Sequence, residues 1–439
     1  MGFAICCRLI DEFLLTRPQT QTLRLLFSTR DTRKSEDTLK RLNAHLQKTL
    51  REANGRTLGI SLLLEARVKL EGVLVDMTKL LTVKALAEDL LTRGQRLDAV
   101  VWNAGLAGWS GLDYPTAIWQ MVTDLVHACT YPTYPRAQVG LVADRQLGPA
   151  PSGDGKRATG DEPKLGQIFL SNVFGHYMLT HWLSPLLPPS SRVIWIGSVS
   201  AVPDSFDTND VQCLRSPMPY EGSKRLTDYL VLTSELASTR PYVSSFFHTG
   251  QQQQRPRMYL THPGVAGTSI SGLNWLLKFF MFAVFYLARF LGSPWHPIQP
   301  YKGAISAVFA ALAPFSQLPD QEEREGKGKW GSATGRSGDE RVARTETEGW
   351  GFCGRVGVVP PGSVTGIVGR YHGHRQTTQE MREQFEDDGW KVWRDMEELR
   401  VQWESRLGPV SVADSADVER GSRQLCNLRG QTTAYVVCS

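Results

Sequence analysis

The feature that most constrains the fold is an alternation of short apolar segments with longer amphipathic ones. Apolar runs with the length and composition of buried strands occupy residues 23–28, 68–75, 98–102, 192–197 and 258–261. Apolar residues at helical spacing occupy the segments around and between them, at 2–16, 35–53, 82–93, 167–183 and 220–238. Because strands that alternate with helices form a parallel sheet covered on both faces, we predict an α/β fold with a Rossmann-like, doubly wound parallel sheet.

Each predicted strand ends in a polar or small motif. These motifs are Thr29-Arg30, Asp76, Asn103-Ala104-Gly105, Ser198 and Pro263-Gly264. In open parallel sheets, ligands bind just outside the carboxyl ends of the strands. One polar strand end means little, but the ordered series predicts a single site along this edge of the sheet.

Tyr220 and Lys224 lie on the predicted helix after Ser198, one turn apart and therefore on the same face. An ammonium beside a phenol lowers the phenol's pKa, and such a phenol can donate a proton to a developing alkoxide. The spacing by itself is weak, because a surface Tyr and Lys stand one turn apart on many helices. Its position after the ordered strand ends favours a catalytic pair.

Together, these motifs resemble those of the short-chain dehydrogenase/reductase superfamily. The resemblance implies that Ser198 hydrogen-bonds a substrate carbonyl and that Tyr220 donates the proton. It implies that Lys224 lowers the pKa of Tyr220 and holds the nicotinamide ribose, and that Asn172, in NVFGHYMLT, anchors a proton-relay water. The hydride would come from a nicotinamide cofactor, since a protein supplies orientation and electrostatics rather than electrons.

Arg30 indicates which nicotinamide cofactor is used. It follows the strand that would reach the adenosine ribose, where a guanidinium can bind a 2′-phosphate through two hydrogen bonds. The implied cofactor is therefore NADP(H), and a surface arginine is the alternative. Asp76 could contact adenine or cap the next helix, and Asn103 could be a plain turn residue. The implied cofactor-binding residues are Gly2, Thr29, Arg30, Asp76, Asn103, Ala104, Gly105, Tyr220, Lys224, Pro263, Gly264, Val265 and Thr268.

Several stretches resemble a narrower family, the fungal 3-ketosteroid reductases of ergosterol synthesis. They are YEGSKRL at 220–226, CTYPTY at 129–134, ARFLGSPWH at 288–296, Tyr301-Lys302 and WGSAT at 330–334. The resemblance implies NADPH-dependent reduction of the 3-keto group of a C4-demethylated sterol. It also implies a place on the cytosolic face of the endoplasmic reticulum membrane or on lipid droplets. The implied partners are sterol C4-methyl oxidase, sterol C3 decarboxylase and oxidosqualene cyclase.

Residues 273–291 are almost entirely apolar, with charges at Lys278 and Arg289 alone. The uncharged run between these two residues is shorter than the roughly 20 residues that a transmembrane helix needs. Both charged side chains could extend to lipid headgroups. We therefore predict a helix embedded in one leaflet of a membrane, and a helix buried against the sheet is the alternative.

Composition argues against several other functions. The 49 basic and 44 acidic residues give a net charge of +5, which is too weak a bias for nucleic-acid binding. The 7 cysteines are scattered and contain no Cys-x-x-Cys pair, as expected for reduced thiols in a cytosolic setting. His262 and His296 lack partner ligands at useful spacing, so no metal is predicted.

The first residues depart from the superfamily pattern, which opens with a strand and Thr-Gly-x-x-x-Gly-x-Gly. Met1 and Gly2 resemble the end of that loop, and the strand and the other glycines are absent. We therefore predict a sheet lacking its first strand, with unpaired neighbouring strands and weakened cofactor binding. Either the true start lies upstream of a truncated gene model, or the chain is a non-catalytic subunit of a sterol complex. A reductase of another hydroxysteroid or lipid ketone is a third hypothesis.

The chain is predicted to contain a Rossmann-like domain at 1–345, a C-terminal extension at 346–409 and a tail at 410–439. The extension contains a Trp-rich amphipathic helix at 378–407, broken near Gly389. The stretch 106–163 is less regular, and its latter part and the charged segment 321–341 are predicted to be loops. The tail has no hydrophobic periodicity, so we expect it to be poorly ordered.

Overall fold

The computed structural model describes residues 1–147, 162–250, 254–268, 275–410 and 432–438. Its strands are β1 (Thr22–Thr29), β2 (Val68–Leu74), β3 (Ala99–Trp102), β4 (Trp109–Leu112), β5 (Pro135–Ala137), β6 (Arg192–Ile196), β7 (Arg257–His262), β8 (Lys329–Thr334), β9 (Glu340–Thr345) and β10 (Thr432–Cys438). Its helices are α1 (Gly2–Thr16), α2 (Thr32–Arg56), α3 (Ile60–Glu65), α4 (Leu80–Arg93), α5 (Tyr114–Thr123), α6 (Leu125–Thr130), α7 (Gln167–Phe169), α8 (Gly175–Trp182), α9 (Pro219–Leu232), α10 (Arg240–Phe246), α11 (Trp275–Phe290), α12 (Pro300–Gly303), α13 (Ile305–Leu312), α14 (Gln317–Glu325) and α15 (Gln379–Leu407). A π-helical turn, Leu170–Phe174, joins α7 to α8. Most of the predicted loop at 148–163 and of the predicted tail lies outside the described residues.

The main sheet has the strand order β2-β1-β10-β3-β6-β7-β8-β9. All neighbouring pairs are parallel except β8 and β9. The predicted α/β fold with a Rossmann-like parallel sheet is therefore confirmed. Since the carboxyl ends of parallel strands meet at one edge, the motifs that follow β1, β3, β6 and β7 are brought together there.

The most C-terminal described strand, β10, lies between β1 and β3 in the middle of the sheet. Tyr435 pairs with Leu25 of β1 and with Ala99 of β3, and its side chain is 2% exposed. The predictions of a gap in the sheet and of unpaired neighbouring strands are therefore wrong. The prediction of a poorly ordered tail is wrong for residues 432–438, because their backbone pairs with a strand on each side.

Helices cover both faces of this sheet. On one face, α1, α2 and α13 pack their apolar side chains, such as Phe13 and Leu46, against the strands. On the other face, α4, α8, α9 and α15 form a second core that includes Trp393. The two layers fix the strands firmly, and the carboxyl edge between them is left open for a site.

Two predictions for the C-terminal half are wrong. The segment 321–341 is not a loop, because it includes β8, whose first residue Lys329 is buried in an ion pair with Asp228. Helix α15 continues through Gly389 without a break. A Cβ atom at Gly389 would lie 2.4 Å from Thr233 Cγ2, so the glycine allows α15 to approach the end of α9 closely.

Helix α11 covers most of the predicted membrane segment 273–291; residues 273 and 274 lie outside the described residues. In the described part of the chain, no helix is both long and apolar enough to cross a bilayer. Phe279 and Phe290 are 65% and 70% exposed. The alternative of a helix fully buried against the sheet is therefore wrong.

Candidate active site

A cavity of about 1330 Å³ lies at the carboxyl edge of the sheet. Every predicted cofactor-binding residue lines it, from Gly2 in α1 to Thr268 after β7. Ser198 lines it as well, whereas Asn172 lies buried behind its wall. The structure therefore brings together the residues that the strand-end pattern predicted.

Ser198 and Tyr220 both line this cavity and share a hydrogen bond. Burial raises the pKa of Tyr220 above its ordinary value, the carboxyl group of Glu221 raises it further, and the bond from Ser198 partly offsets both effects. The phenol is therefore protonated at neutral pH, and it can donate that proton. The edge of the Trp109 ring packs against the tyrosine, with ring centroids 6.0 Å apart.

Lys224 lies one turn beyond Tyr220 on α9, with its Nζ 5.8 Å from the centroid of the tyrosine ring. Nζ donates a 2.7 Å hydrogen bond to the backbone carbonyl of Ile196. Burial lowers the pKa of Lys224 to about 8, Asp228 acts to raise it, and Lys329 lowers it further. The lowering of the Tyr220 pKa that the resemblance implies for Lys224 stays a prediction.

Asn172 occupies the π-helical turn and is fully hydrogen-bonded. Its Oδ1 accepts from the Leu106 N–H at 2.7 Å, and its Nδ2 donates to the Leu106 carbonyl and the Ser223 hydroxyl, both at 3.0 Å. A Cβ atom at Gly105 would lie 2.7 Å from Asn172 Oδ1, so the Asn-Ala-Gly turn needs a glycine at its end. Asn172 therefore ties the turn after β3 to helix α9. Its role in holding a relay water stays a prediction.

One end of the cavity carries three cationic side chains and one carboxylate, Asp37, which lies 3.6 Å from Arg41. Arg30, Lys34 and Arg41 line it, and they come from the end of β1 and from α2. Lys34 lies 3.5 Å from Asp31, and the Arg41 guanidinium stacks over the Phe3 ring at 4.2 Å. Guanidinium and ammonium groups are the donors that bind a phosphate monoester, so this end fits the 2′-phosphate of NADP(H).

The remaining predicted residues shape the cavity wall. Asp76 accepts hydrogen bonds from the Thr78 N–H at 3.0 Å and hydroxyl at 2.7 Å, whereas the residue at the N-cap of α4 is Lys79. Gly264 has a φ of +65°, and a Cβ atom there would lie 2.7 Å from the Trp295 carbonyl oxygen. The Pro-Gly turn therefore depends on a glycine. Taken with the cationic end, these residues fit a bound NADP(H).

Sequence reasoning missed the apolar walls. Helix α5 contributes Ile118, Met121 and Val122 to the cavity, although its segment was predicted to be irregular. Helix α11 presents a second stripe at helical spacing, consisting of Leu277, Phe280, Met281, Val284 and Phe285. A signal for α5 was present: Asp113 caps its first turn by accepting from the Thr116 N–H, and Pro115 occupies that turn.

The parallel sheet, with Ser198, Tyr220 and Lys224 lining one cavity at its carboxyl edge, agrees with the resemblance to the short-chain dehydrogenase/reductases. The chain is 43% identical to the 3-keto-steroid reductase of Aspergillus fumigatus over 431 residues, covering 93% of this chain and 92% of that protein. It is 36% identical to the 3-keto-steroid reductase of Gibberella zeae over 93% of each chain. The Schizosaccharomyces pombe enzyme of the same name is 31% identical, over 79% of this chain and 88% of the other. The chain therefore belongs to the fungal 3-keto-steroid reductase family.

Two further comparisons add no argument about the function. No family model matches the chain. A metagenomic short-chain oxidoreductase solved in complex with NADP aligns with a TM-score of 0.32 and 14% identity, over 71% of this chain and 86% of that one.

Proposed function

We propose that this protein uses NADPH to reduce the 3-keto group of a C4-demethylated sterol to the 3-hydroxysterol, in ergosterol synthesis. One observation carries the proposal: a single cavity joins Ser198, Tyr220 and Lys224 to a cationic end and to long apolar walls. Membership in the 3-keto-steroid reductase family supports the same substrate class. At 1330 Å³ the cavity exceeds the roughly 300–1,000 Å³ of ordinary small-molecule sites, so a cofactor and a sterol can share it.

The side chains divide the chemistry between them. Ser198 and Tyr220 donate hydrogen bonds to the ketone oxygen and polarise the carbonyl group. NADPH, when bound, supplies the hydride to the carbonyl carbon. Tyr220 gives its proton to the oxygen as negative charge develops there, which yields the hydroxyl group. Lys224, on the same face of α9, stabilises the phenolate that is left.

The residues that would hold the cofactor are spread along the edge of the sheet. Arg30, Lys34 and Arg41 would bind the 2′-phosphate, and Asp76 would contact the adenine. Lys224 would bind the nicotinamide ribose. The apolar stripes on α5 and α11 would then enclose the rings of the sterol, which are excluded from water.

The test uses the whole chain. Fluorescence titration should detect NADPH binding, and a 3-keto sterol in detergent should consume NADPH in step with 3-hydroxysterol formation. Absence of NADPH binding at saturating concentration would instead support the non-catalytic subunit. Binding with turnover of other ketones, but not of 3-keto sterols, would support a reductase of another hydroxysteroid or lipid ketone.

The Arg30→Ala substitution should change the preference between cofactors. A charge-assisted hydrogen bond contributes about 1.5–3 kcal/mol, so the Kd for NADPH should rise on the order of 10- to 100-fold. The Kd for NADH, which has no 2′-phosphate, should change little. Arg33→Ala is the matched control, because Arg33 lies three residues further on, is exposed in the first turn of α2 and does not line the cavity. An equal loss of affinity for both cofactors would contradict the assignment of Arg30.

We also propose that the cavity opens toward a membrane surface, at the endoplasmic reticulum or on lipid droplets. The support is the exposure of apolar side chains on the two helices that line its apolar walls. Ile118, Trp119 and Val122 of α5 are 65%, 70% and 78% exposed, and Phe279 and Phe290 of α11 are similarly exposed. Exposed apolar patches of this kind indicate a lipid or protein contact, and a sterol reaches its enzyme from lipid.

Vesicle sedimentation tests the membrane contact. Because complete burial of an aromatic side chain contributes about 1.5–3 kcal/mol, Trp119→Ser combined with Phe279→Ser should weaken binding to phosphatidylcholine vesicles at least about 10-fold. Leu62→Ser is the control, since Leu62 is 76% exposed on α3 and does not line the cavity. Equal binding of the double variant and the unaltered protein would exclude these helices as the contact.

The partners implied by the resemblance, namely sterol C4-methyl oxidase, sterol C3 decarboxylase and oxidosqualene cyclase, stay a prediction. A shared membrane surface would bring this protein close to enzymes that act on the same insoluble intermediates. Co-purification from detergent-solubilised membranes, with and without the Trp119/Phe279 variant, would test both ideas together.

A further inference from the structure

A buried ion pair lies behind the catalytic residues and takes no part in the steps above. Lys329, the first residue of β8, donates to both carboxylate oxygens of Asp228, at 2.9 and 2.8 Å. The two side chains are 3% and 0% exposed. An ion pair this deeply buried gains little stability over a well-packed apolar pair, because desolvation of both charges offsets their attraction. We therefore looked for a role of the Asp228–Lys329 pair other than stabilising the fold.

The pair is adjacent to the catalytic lysine in two ways. Asp228 follows Lys224 by one turn of α9, so the two side chains share a face. The pair also packs against the backbone that holds the partners of Lys224. A Cβ atom at Gly197 would lie 3.4 Å from Asp228 Oδ1 and 3.5 Å from Lys329 Cε.

Gly197 separates Ile196 from Ser198, and the Ile196 carbonyl accepts the hydrogen bond from Lys224. The ion pair therefore lies within van der Waals reach of the backbone segment that joins Ile196 to Ser198. Any displacement of the pair would shift both the acceptor of Lys224 and the hydroxyl of Ser198.

The other charges around Lys224 are mostly cations. Lys329 on β8 lowers the pKa of Lys224. Arg225, the next residue on α9, acts on Asp228 and lowers the pKa of that carboxyl group, as Lys329 does. His176 on α8 and His262 on β7 are buried, and their lowered pKa values keep them neutral at neutral pH. Asp228 is the group that acts in the opposite direction and raises the pKa of Lys224.

We propose that Asp228, held by Lys329, is a positioning residue that keeps Lys224 protonated and directed at the Ile196 carbonyl. The proposal rests on the proposed function, since a charged Lys224 matters there for the cofactor and for the phenolate of Tyr220. Behind the residues that line the cavity, the carboxylate of Asp228 thus offsets the charges of two buried lysines, Lys224 and Lys329.

The first experiment measures the protonation of Lys224 directly, without turnover. Protein labelled with 13C at lysine Cε is titrated by NMR, and the Lys224 signal is assigned from its loss in Lys224→Arg. Asp228→Asn removes the group that raises the pKa, so the Lys224 midpoint should fall below its starting value of about 8, by about one unit. Lys329→Gln removes a cation that lowers the pKa, so the midpoint should rise instead.

The matched control is Lys327→Gln. Lys327 is a buried lysine two residues before β8, and it lies 3.7 Å from Glu322. Its loss should leave the Lys224 midpoint unchanged while removing a comparable buried charge. If one of the two test variants fails to fold, the direction in which the Lys224 midpoint shifts in the other variant still tests the proposal. Identical midpoints in the unaltered protein and in either folded test variant would overturn the proposal.

A second measurement links the pair to the cofactor. At pH 8 Asp228→Asn should weaken NADPH binding about 5-fold, and at pH 6, where Lys224 is charged in both proteins, the loss should largely disappear. A merely structural role for the pair would weaken binding equally at both pH values. An unaltered protein that binds NADPH but reduces no sterol would contradict the proposed function and leave the NMR result standing.

Discussion

The Tyr220→Phe variant is expected to lose about 10²- to 10⁴-fold in kcat, which is the usual contribution of a positioned proton donor. In the proposed mechanism the phenol donates a proton to a developing alkoxide, and burial raises its pKa further above neutral pH. Phenylalanine preserves the ring and its contact with Trp109, so the fold and the NADPH Kd should change little. Steady-state reduction of a 3-keto sterol, together with an NADPH titration, measures the two effects separately.

Tyr229→Phe provides the control for this loss. Tyr229 lies on the same helix, and its hydroxyl group donates to Asp388 at 3.2 Å, outside the cavity. The same deletion of one hydroxyl group should therefore cost about 1 kcal/mol of stability and leave kcat within about twofold. If Tyr220→Phe keeps more than about a tenth of the original kcat, another group must donate the proton.

The composition of the site could be predicted because it depends on local patterns. Each strand end had its own polar or small residues, and a parallel sheet is bound to bring such ends together. The electrostatics could not be predicted in the same way. The one-turn spacing of Tyr220 and Lys224 indicated a lowered phenol pKa, whereas burial acts to raise the pKa of Tyr220. Burial of one residue depends on the whole packing around it.

The errors in the fold have the same origin. The sequence of β10, TTAYVVC, has the β-branched and aromatic content of a strand, but it follows a segment without periodicity. Its partners β1 and β3 lie at the other end of the chain, so no local pattern indicated the pairing. Similarly, the charged and glycine-rich composition of residues 321–341 made β8 resemble a loop. The Asp228 carboxylate that makes burial of Lys329 acceptable lies far away in sequence.

Removal of β10 is expected to have the largest effect on stability. A stop codon after Val410 deletes the strand that pairs with both β1 and β3. Leu25 and Phe27 of β1 are 0% exposed, and they would then border an open gap with unpaired backbone groups. Whole domains are stable by about 5–15 kcal/mol, so loss of a central strand should prevent cooperative folding. Thermal unfolding followed by circular dichroism should show no transition.

Point variants test the same contact without shortening the chain. Tyr435→Ala removes a buried ring from the middle of the sheet and should cost about 3–5 kcal/mol, as large-to-small core substitutions of aromatics do. Thr433→Ala, on the same strand but only partly buried, should cost less than about 1 kcal/mol.

A synthetic peptide of residues 430–439 should restore the transition of the shortened chain by filling the gap between β1 and β3. If the shortened chain unfolds at the same temperature as the full one, β10 does not complete the sheet.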